Sequence, residues 1–206
     1  MLEAITGLAL ASAAGLNAYI PLLGLGLLSK FTDLLTLPEG WAWLESWWAL
    51  GALAVLLIIE TVVDKVPALD TANDILQTVV RPASGGLVFS AGSASSTVAV
   101  TDPEAFVNSS AFWPFVIGVL IALVPHILKL VARPVVNLAS AGLGASVMST
   151  IEDIAAVVVT VLAVLLPLLA LALIVLLVVL GVRWFRRFRA RRQGAAPAAP
   201  AAPAAG

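Results

Sequence analysis

Two rows of polar side chains stand out in a chain that is otherwise strongly apolar, and both have helical spacing. The first is largely acidic, with steps of four, three and four residues: Asp70, Asp74, Gln77 and Arg81. The second is largely basic, with steps of three, four and four residues: His126, Lys129, Arg133 and Asn137. Such spacing places each row on one face of a helix. The rows could therefore bind a charged solute or pair with each other.

Two further acids precede the first row. Glu60 lies near the end of an apolar segment, and Asp64 follows it one helical turn later. Two carboxylates at this spacing repel each other unless a cation, a proton or a base such as Lys65 relieves them. Ionisable groups at membrane depth often mark ion or substrate paths. Our candidate binding residues are Glu60, Asp64, Lys65, Asp70, Asp74, Gln77, Arg81, His126, Lys129 and Arg133.

Three interpretations of the polar rows follow from the sequence. The rows belong to interfacial helices that face headgroups and water, or they form a binding site for an ion or small polar solute, or they form a structural ion-pair latch. The distance between Asp74 and Arg133 separates these interpretations. Contact within about 4 Å with no cavity between the groups would make them an ion pair and favour the latch. An open cavity between them would keep the binding-site interpretation, and side chains on opposite sides of the bundle would favour the headgroup-facing one. The leading hypothesis is a small transporter or permeation protein. The alternative is a structural or scaffolding membrane protein that binds lipid headgroups or partner subunits.

The composition indicates a membrane protein. Of the 206 residues, 61% are hydrophobic and 11% are charged, whereas soluble domains have about 25% charged residues. A bilayer is the solvent that suits this composition. The chain has no cysteine, which excludes disulfide and thiolate chemistry. No basic patch interleaved with aromatic residues is present, so we expect no nucleic-acid binding.

The hydropathy pattern predicts an all-α membrane bundle. A helix needs about 20 apolar residues to cross the hydrocarbon core, and five segments reach or approach this length: 4–29, 47–63, 83–101, 112–132 and 154–182. The third segment is rich in Gly and Ser, and re-entry is its alternative. We also expect one or two short amphipathic interfacial helices, one of them at 68–81. The tryptophans fall at segment edges, as interfacial residues do.

The chain divides into three parts by composition. Residues 1–182 form the predicted integral membrane domain, 183–193 a basic juxtamembrane segment, and 194–206 an Ala/Pro-rich tail that we expect to be disordered. The arginines of Arg183–Arg192 favour a cytoplasmic C-terminus in the cell membrane and attraction to anionic lipid headgroups. The oligomeric state stays open, a homo-oligomer included. The small residues at the N-terminus resemble a signal peptide, but Glu3 and the long apolar run favour a retained helix.

Other motifs have structural interpretations. Ser149 and Glu152 match a capping box at a helix start, and contact with Arg133 is the alternative. Pro21 predicts a kink or break in the first segment, which serves either helix packing or a binding site made from exposed backbone. His126 is the single histidine, which disfavours zinc, and we expect no cofactor. No nucleophile motif is present, which disfavours an enzyme.

Three blocks in this order resemble the membrane family catalogued as domain of unknown function 4126: Ala-Ala-Gly15-Leu-Asn17-Ala-Tyr19-Ile-Pro21, Asp64-Lys65-Val-Pro67-Ala-Leu-Asp70, and Ser149-x-x-Glu152-Asp153. The second block is the most specific part of the resemblance, which covers roughly residues 4–182. The resemblance implies a small polytopic protein of the prokaryotic cell membrane. It implies no activity, substrate or catalytic residue.

Overall fold

The chain folds into helices throughout the part that the structure describes. The computed structural model describes residues 2–93, 108, 110–140 and 143–194. Its elements are α1 Leu2–Leu16, α2 Tyr19–Phe31, the 3-10 helix Glu39–Glu45, α3 Trp47–Val63, α4 Pro67–Gly92, α5 Phe112–Ser140, α6 Leu143–Leu165 and α7 Pro167–Gly194. The predicted all-α class is therefore confirmed. Residues 94–101 of the predicted third crossing lie outside the described residues.

Two of the described helices are long and apolar enough to cross a membrane. They are Phe112–Val136 within α5 and Ser146–Leu165 within α6. The 3-10 helix and α3 together form a third candidate, with a bend of 63° between them. These lengths are consistent with a membrane protein. A bundle of five crossings, as the sequence predicted, is not confirmed.

The predicted first crossing, 4–29, is wrong, because this segment contains two short helices. The first of them, α1, runs antiparallel to α6. Near its start, the Thr6 hydroxyl donates to the carbonyl of Ala163 at 3.0 Å. Just after its end, the Asn17 amide donates to the carboxylate of Asp153 at 3.0 Å. Eleven residues of α1 thus cover about the same length of α6, since both helices rise about 1.5 Å per residue.

The second helix, α2, returns along α6 in the opposite direction. A Cβ on Gly24 would lie 2.6 Å from Cγ2 of Thr160, so α2 approaches α6 closely on its way back. Asn17 makes the turn, because its side-chain oxygen accepts the N–H groups of the first two residues of α2 at 3.0 and 3.1 Å. Such a cap starts a new helix. Pro21 lies in the first turn of α2, where a missing N–H is tolerated, so the break precedes it.

Aromatic side chains gather where α2 meets the 3-10 helix and the start of α3. The rings of Phe31 and Trp47 lie 5.9 Å apart, and those of Trp43 and Trp48 lie 6.2 Å apart. The Lys30 ammonium lies 4.6 Å from the Trp47 ring centre. Trp47 and Trp48 are both exposed. This is the position that an interfacial role for tryptophan requires.

The predicted short amphipathic helix at 68–81 is also wrong, because α4 continues through Pro82 to Gly92. A proline inside a helix removes one hydrogen bond, at a cost of about 3 kcal/mol. Close packing beyond the proline offsets this cost. A Cβ on Gly85 would lie 2.3 Å from the Cβ of Ala122 on α5. The two helix backbones therefore approach each other closely, which favours a continuous α4.

The remaining helix boundaries also differ from the prediction. In α5 the helix continues through Pro134 to Ser140, past the end that the sequence suggested near Ala132. The predicted fifth crossing, 154–182, consists of parts of α6 and α7, which meet at Pro167. A proline disfavours the helical conformation of the residue before it, and this accounts for the break.

The chain separates into two compact units, Met1–Ile174 and Val175–Gly206. In the second unit, helix α7 continues to Gly194. The side chains of Arg183 and Arg187 are exposed there, and the basic juxtamembrane role of this segment stays a prediction. The predicted disordered tail lies beyond Gly194, outside the described residues.

Candidate functional site: a buried charge network

Helix α4 has its polar face inside and its apolar face outside. Asp74, Gln77 and Arg81 are buried, and Arg81 is 0% exposed. On the other side of the same helix, Ile75 is 70% exposed and Val79 is 73% exposed. A helix on the surface of a soluble protein has the reverse arrangement. The apolar face of α4 suits lipid, and its polar row points into the bundle.

The second polar row meets the first inside the bundle. His126, Lys129 and Arg133 on α5 are all buried. Nη1 of Arg133 donates to Oδ1 of Asp74 at 2.9 Å. The two rows are thus in direct ion-pair contact, and the charged side chains that the structure describes in them are buried.

Helix α3 supplies two more acids at its C-terminal end. Nη2 of Arg81 lies 2.9 Å from Oε1 of Glu60 and 3.9 Å from Oδ2 of Asp64. Both carboxylates are buried. Their one-turn spacing brings them to the same guanidinium group, which relieves their mutual repulsion. Lys65, which the sequence proposed for this role, is exposed and donates to the Thr61 carbonyl instead.

Asp64 is the centre of the network. Besides Arg81, its Oδ2 lies 3.0 Å from Nζ of Lys129 and 3.4 Å from Nη2 of Arg133. Burial alone would raise the pKa of the Asp64 carboxyl, but Lys129, Arg133 and Arg81 together lower that pKa to about 2. The Asp64 carboxylate therefore stays ionised.

Neutral groups complete the coordination of Asp64. The Asn73 amide donates to Oδ1 at 2.7 Å, and the Ser149 hydroxyl donates to Oδ2 at 3.2 Å. Ser149 belongs to α6, so α6 is joined to the same carboxylate as α3, α4 and α5. A second link from α6 is Glu152, whose Oε2 lies 2.9 Å from Nζ of Lys129.

The capping-box interpretation of Ser149 and Glu152 is wrong. Helix α6 begins at Leu143, so these residues lie in its second and third turns and their backbone N–H groups have helical partners. The alternative was contact with Arg133. The actual base is Lys129, one turn earlier on α5. Ser149 and Glu152 are three residues apart, a spacing that places both on one helix face. This spacing is the sequence signal that could have identified them as a third polar row.

Of the predicted residues that the structure describes, Lys65 lies outside the network. The side chains of Asp70 and Asn137 are outside the described ones. Tyr19, at the start of α2, has its hydroxyl near the amide of Gln77 on α4, and residue spacing alone does not predict this contact. The break between α1 and α2 is thus brought close to the charged groups.

Several buried polar atoms of the network have no hydrogen-bond partner among the described residues. They are Oε2 of Glu60, Oε1 of Gln77, Nδ1 of His126, and Nε and Nη1 of Arg81. An unpaired buried polar group costs about 1–3 kcal/mol. Both donors and acceptors are present in this set, so the site has capacity for a small polar species.

The chemistry that the network offers is binding and proton exchange. Within the described ranges, no group of three or more acid or imidazole side chains is arranged to hold a metal ion. The described members are four carboxylates, three bases and one histidine, and all of them are buried. These side chains suit the site to binding a charged species or exchanging a proton.

We expect Asp64 to make stability depend on acid pH. Its pKa is about 2 when folded and about 3.9 when unfolded. A depressed folded pKa stabilises the protein above the unfolded value, so this contribution is full above about pH 4 and lost as pH falls toward about 2. The loss should be about 2–3 kcal/mol. Unfolding followed by tryptophan fluorescence in detergent measures it.

Asp64→Asn should flatten this pH profile, because the titrating group is gone. The matched control is Asp33→Asn, at an exposed acid, which should leave the profile of the wild-type protein intact. A wild-type profile as shallow as that of Asp64→Asn would contradict the ionised state of Asp64.

Apolar outer faces around a buried charge network define an all-helical fold that is consistent with a membrane protein. The chain belongs to the family described as Domain of unknown function (DUF4126), whose model matches residues 4–187. That range includes every described member of the network. Neither a curated protein nor a solved structure matches the chain.

Proposed function

We propose that the protein is a small membrane transporter or permeation protein for an ion or small polar solute. The observation that carries this proposal is the buried network itself, in which atoms of Glu60, Gln77 and Arg81 have no hydrogen-bond partner among the described residues. These atoms form the binding site, and the ion pairs around them hold the site closed. The protein acts in the cell membrane, with Arg183–Arg192 on the cytoplasmic side against anionic headgroups.

The desolvation cost of burying charged side chains supports a functional role for them. Burying an ion pair costs several kcal/mol of desolvation for each ion, and apolar residues of similar volume often stabilise a fold equally well or better. The bundle thus has no need of seven buried charges to hold its helices together. Charges kept inside a membrane protein tend to mark a path for ions or solutes.

The hairpin of α1 and α2 supports the same proposal. Its turn leaves helix ends inside the bundle, and Asn17 bonds to Asp153 while Tyr19 lies near Gln77. Interrupted helices whose ends lie inside a bundle are the usual way for transporters to bring backbone groups to a substrate. The turn between α1 and α2 and the buried charged side chains are therefore close to one another.

A second candidate function is favoured by one specific contact. Asp74 and Arg133 lie 2.9 Å apart, as an ion-pair latch requires. On this interpretation the protein is a structural membrane component, and the network locks four helices together. Its partners would then be other subunits or lipids on the outer apolar faces.

Reconstituted liposomes test the transport proposal. The liposomes are adsorbed on a solid-supported membrane, and the pH or the concentration of NaCl, KCl, or a small amino acid or carboxylate from a panel is changed abruptly. A transported species should give a current. The key variant is Asp74→Asn with Arg133→Gln, which removes one pair without leaving a charge alone. We expect its current to fall to the level of protein-free liposomes. The control is Lys65→Gln at the nearby exposed lysine, which should keep the wild-type current.

The outcomes separate the two candidates. A folded double variant with the wild-type current would exclude the network as the transport site. An absence of current with every probe, combined with a large loss of thermal stability in the double variant, would support the latch.

A further inference from the structure

Glu60 is held differently from the other carboxylates of the network. Asp64 lies within 4 Å of three bases. Asp74 and Glu152 each contact one base, and the side chains of these two acids are each 10% exposed. The Glu60 side chain is 1% exposed and contacts Arg81 through Oε1 alone. Its Oε2 has no hydrogen-bond partner among the described residues. By side-chain exposure Glu60 is thus the most buried of the three singly paired acids, and its second carboxylate oxygen contacts no base.

The described network has one carboxylate more than it has bases. Its acids are Glu60, Asp64, Asp74 and Glu152, and its bases are Arg81, Lys129 and Arg133. If every acid were ionised, the network would keep one uncompensated negative charge. An uncompensated buried charge is strongly destabilising, and such groups usually bind a proton or a counter-ion instead.

His126 does not supply the missing positive charge. The Thr78 hydroxyl donates to the backbone carbonyl of Asp74 at 2.9 Å, so its oxygen accepts from Nε2 of His126 at 3.1 Å. This fixes the proton on Nε2. A second proton on Nδ1 would be buried without a partner among the described residues, close to the positive charges of Arg81 and Lys129. The imidazole is therefore neutral.

We propose that Glu60 is a proton-binding site, and that its bound proton makes the network electrically neutral. A hydronium ion of the solvent transfers its proton to Oε2 and leaves as water, which converts the carboxylate to a neutral carboxylic acid while Oε1 keeps its contact with Arg81. This deepens the proposed function and rests on it in one respect, since the bound proton would be the ion coupled to transport.

Glu60 is surrounded by groups from several helices. Arg81 approaches from α4, Tyr19 from α2, Lys129 from α5, and Asp64 from the end of α3 itself. Helix α6 acts through Glu152, which shares Lys129 with Asp64. Any movement that takes Arg81 away from Glu60 would strengthen proton binding, and any approach of a further cation would weaken it.

Infrared difference spectroscopy on the purified full chain in nanodiscs tests this proposal. A protonated carboxyl group gives a C=O band of its own, which shifts in heavy water. We expect the wild-type protein to keep such a band at neutral pH and Glu60→Gln to lose it. Glutamine resembles the protonated acid in shape and charge, so this variant should fold. Near-ultraviolet circular dichroism checks that it does.

The matched control is Glu39→Gln, at an exposed acid with the same side chain outside the network, which should keep the band. Glu152→Gln and Asp64→Asn each leave three carboxylates with three bases and should weaken the Glu60 band. If Glu152→Gln removed the band and Glu60→Gln did not, the assignment to Glu60 would be overturned. A band of unchanged strength in both Glu152→Gln and Asp64→Asn would overturn the charge-balance argument.

A metal cation is the other species that could neutralise the network. The spectra are therefore repeated with NaCl replaced by choline chloride. A wild-type protein without the band, whose thermal stability rises with NaCl but not with choline chloride, would assign the missing charge to sodium and overturn the proposal. The band reports the proton without any transport assay. A band with no current in liposomes would support the proton site and contradict the transport function. A current with no band would support the transport function and overturn the proton site.

Discussion

Replacing Lys129 with Met is expected to lower the free energy of unfolding by about 3–5 kcal/mol, the usual cost of breaking a buried ion pair from one side. Nζ of Lys129 lies 3.0 Å from Asp64 and 2.9 Å from Glu152. Its removal leaves Glu152 without a base among its described contacts and weakens the hold on Asp64. Unfolding in mixed detergent, followed by tryptophan fluorescence, measures the change.

The control for this experiment is Lys65→Met, one residue from Asp64 but exposed to solvent. It should change stability by less than about 0.5 kcal/mol, as surface substitutions usually do. The double variant Lys129→Met with Glu152→Gln should recover part of the loss, because it removes the acid that would stand alone. A Lys129→Met variant as stable as Lys65→Met would mean that the network does not support the bundle.

The second large effect is expected at Gly15, near the C-terminal end of α1. A Cβ built there would lie 2.3 Å from both the backbone carbonyl oxygen of Ala122 and Cγ of Pro125. These atoms belong to the α5 backbone and a proline ring, so they cannot rotate away. We expect Gly15→Ala to push the two helices apart and lower the free energy of unfolding by at least about 1–3 kcal/mol.

Gly51→Ala is the matched control, because nothing lies within 4 Å of a Cβ at that position. In a helix interior, alanine is favoured over glycine by about 0.8–1 kcal/mol, so this variant should be slightly more stable than the wild type. The same unfolding assay gives both values. Equal effects at the two glycines would contradict the close contact between α1 and α5.

The sequence predicted the interior of the site better than the course of the chain. Spacings of three and four residues determine which side chains share a helix face, and this alone brought Asp74, Arg81, Lys129 and Arg133 toward one another. The apolar faces opposite them, as at Ile75, then had to face outward. The expectation that the two rows could meet therefore followed from residue types and helical geometry.

Three features escaped prediction for physical reasons. The hairpin of α1 and α2 has the same apolar content as one continuous span, so hydropathy does not separate the two. Its turn depends on the side chain of Asn17, whose partner Asp153 is distant in sequence. The continuation of α4 beyond Pro82 depends on packing against α5, which overrides the local preference of the proline. The pairing of Glu152 required the fold.

The hairpin of α1 and α2 also determines which helix ends lie on the same side of the bundle. A segment that enters the bundle and returns adds no net passage, so the start of α1 and the end of α2 share one side. Phe89 of α4 lies beside Gly7 of α1, which puts the end of α4 on that side as well. The turns that join α3 to α4 and α5 to α6 then share the opposite side, where the charge network lies. All buried acids and bases of the bundle's described part therefore gather in one half of its depth, and the buried polar side chains described in the other half, such as Thr6 and Ser90, are uncharged.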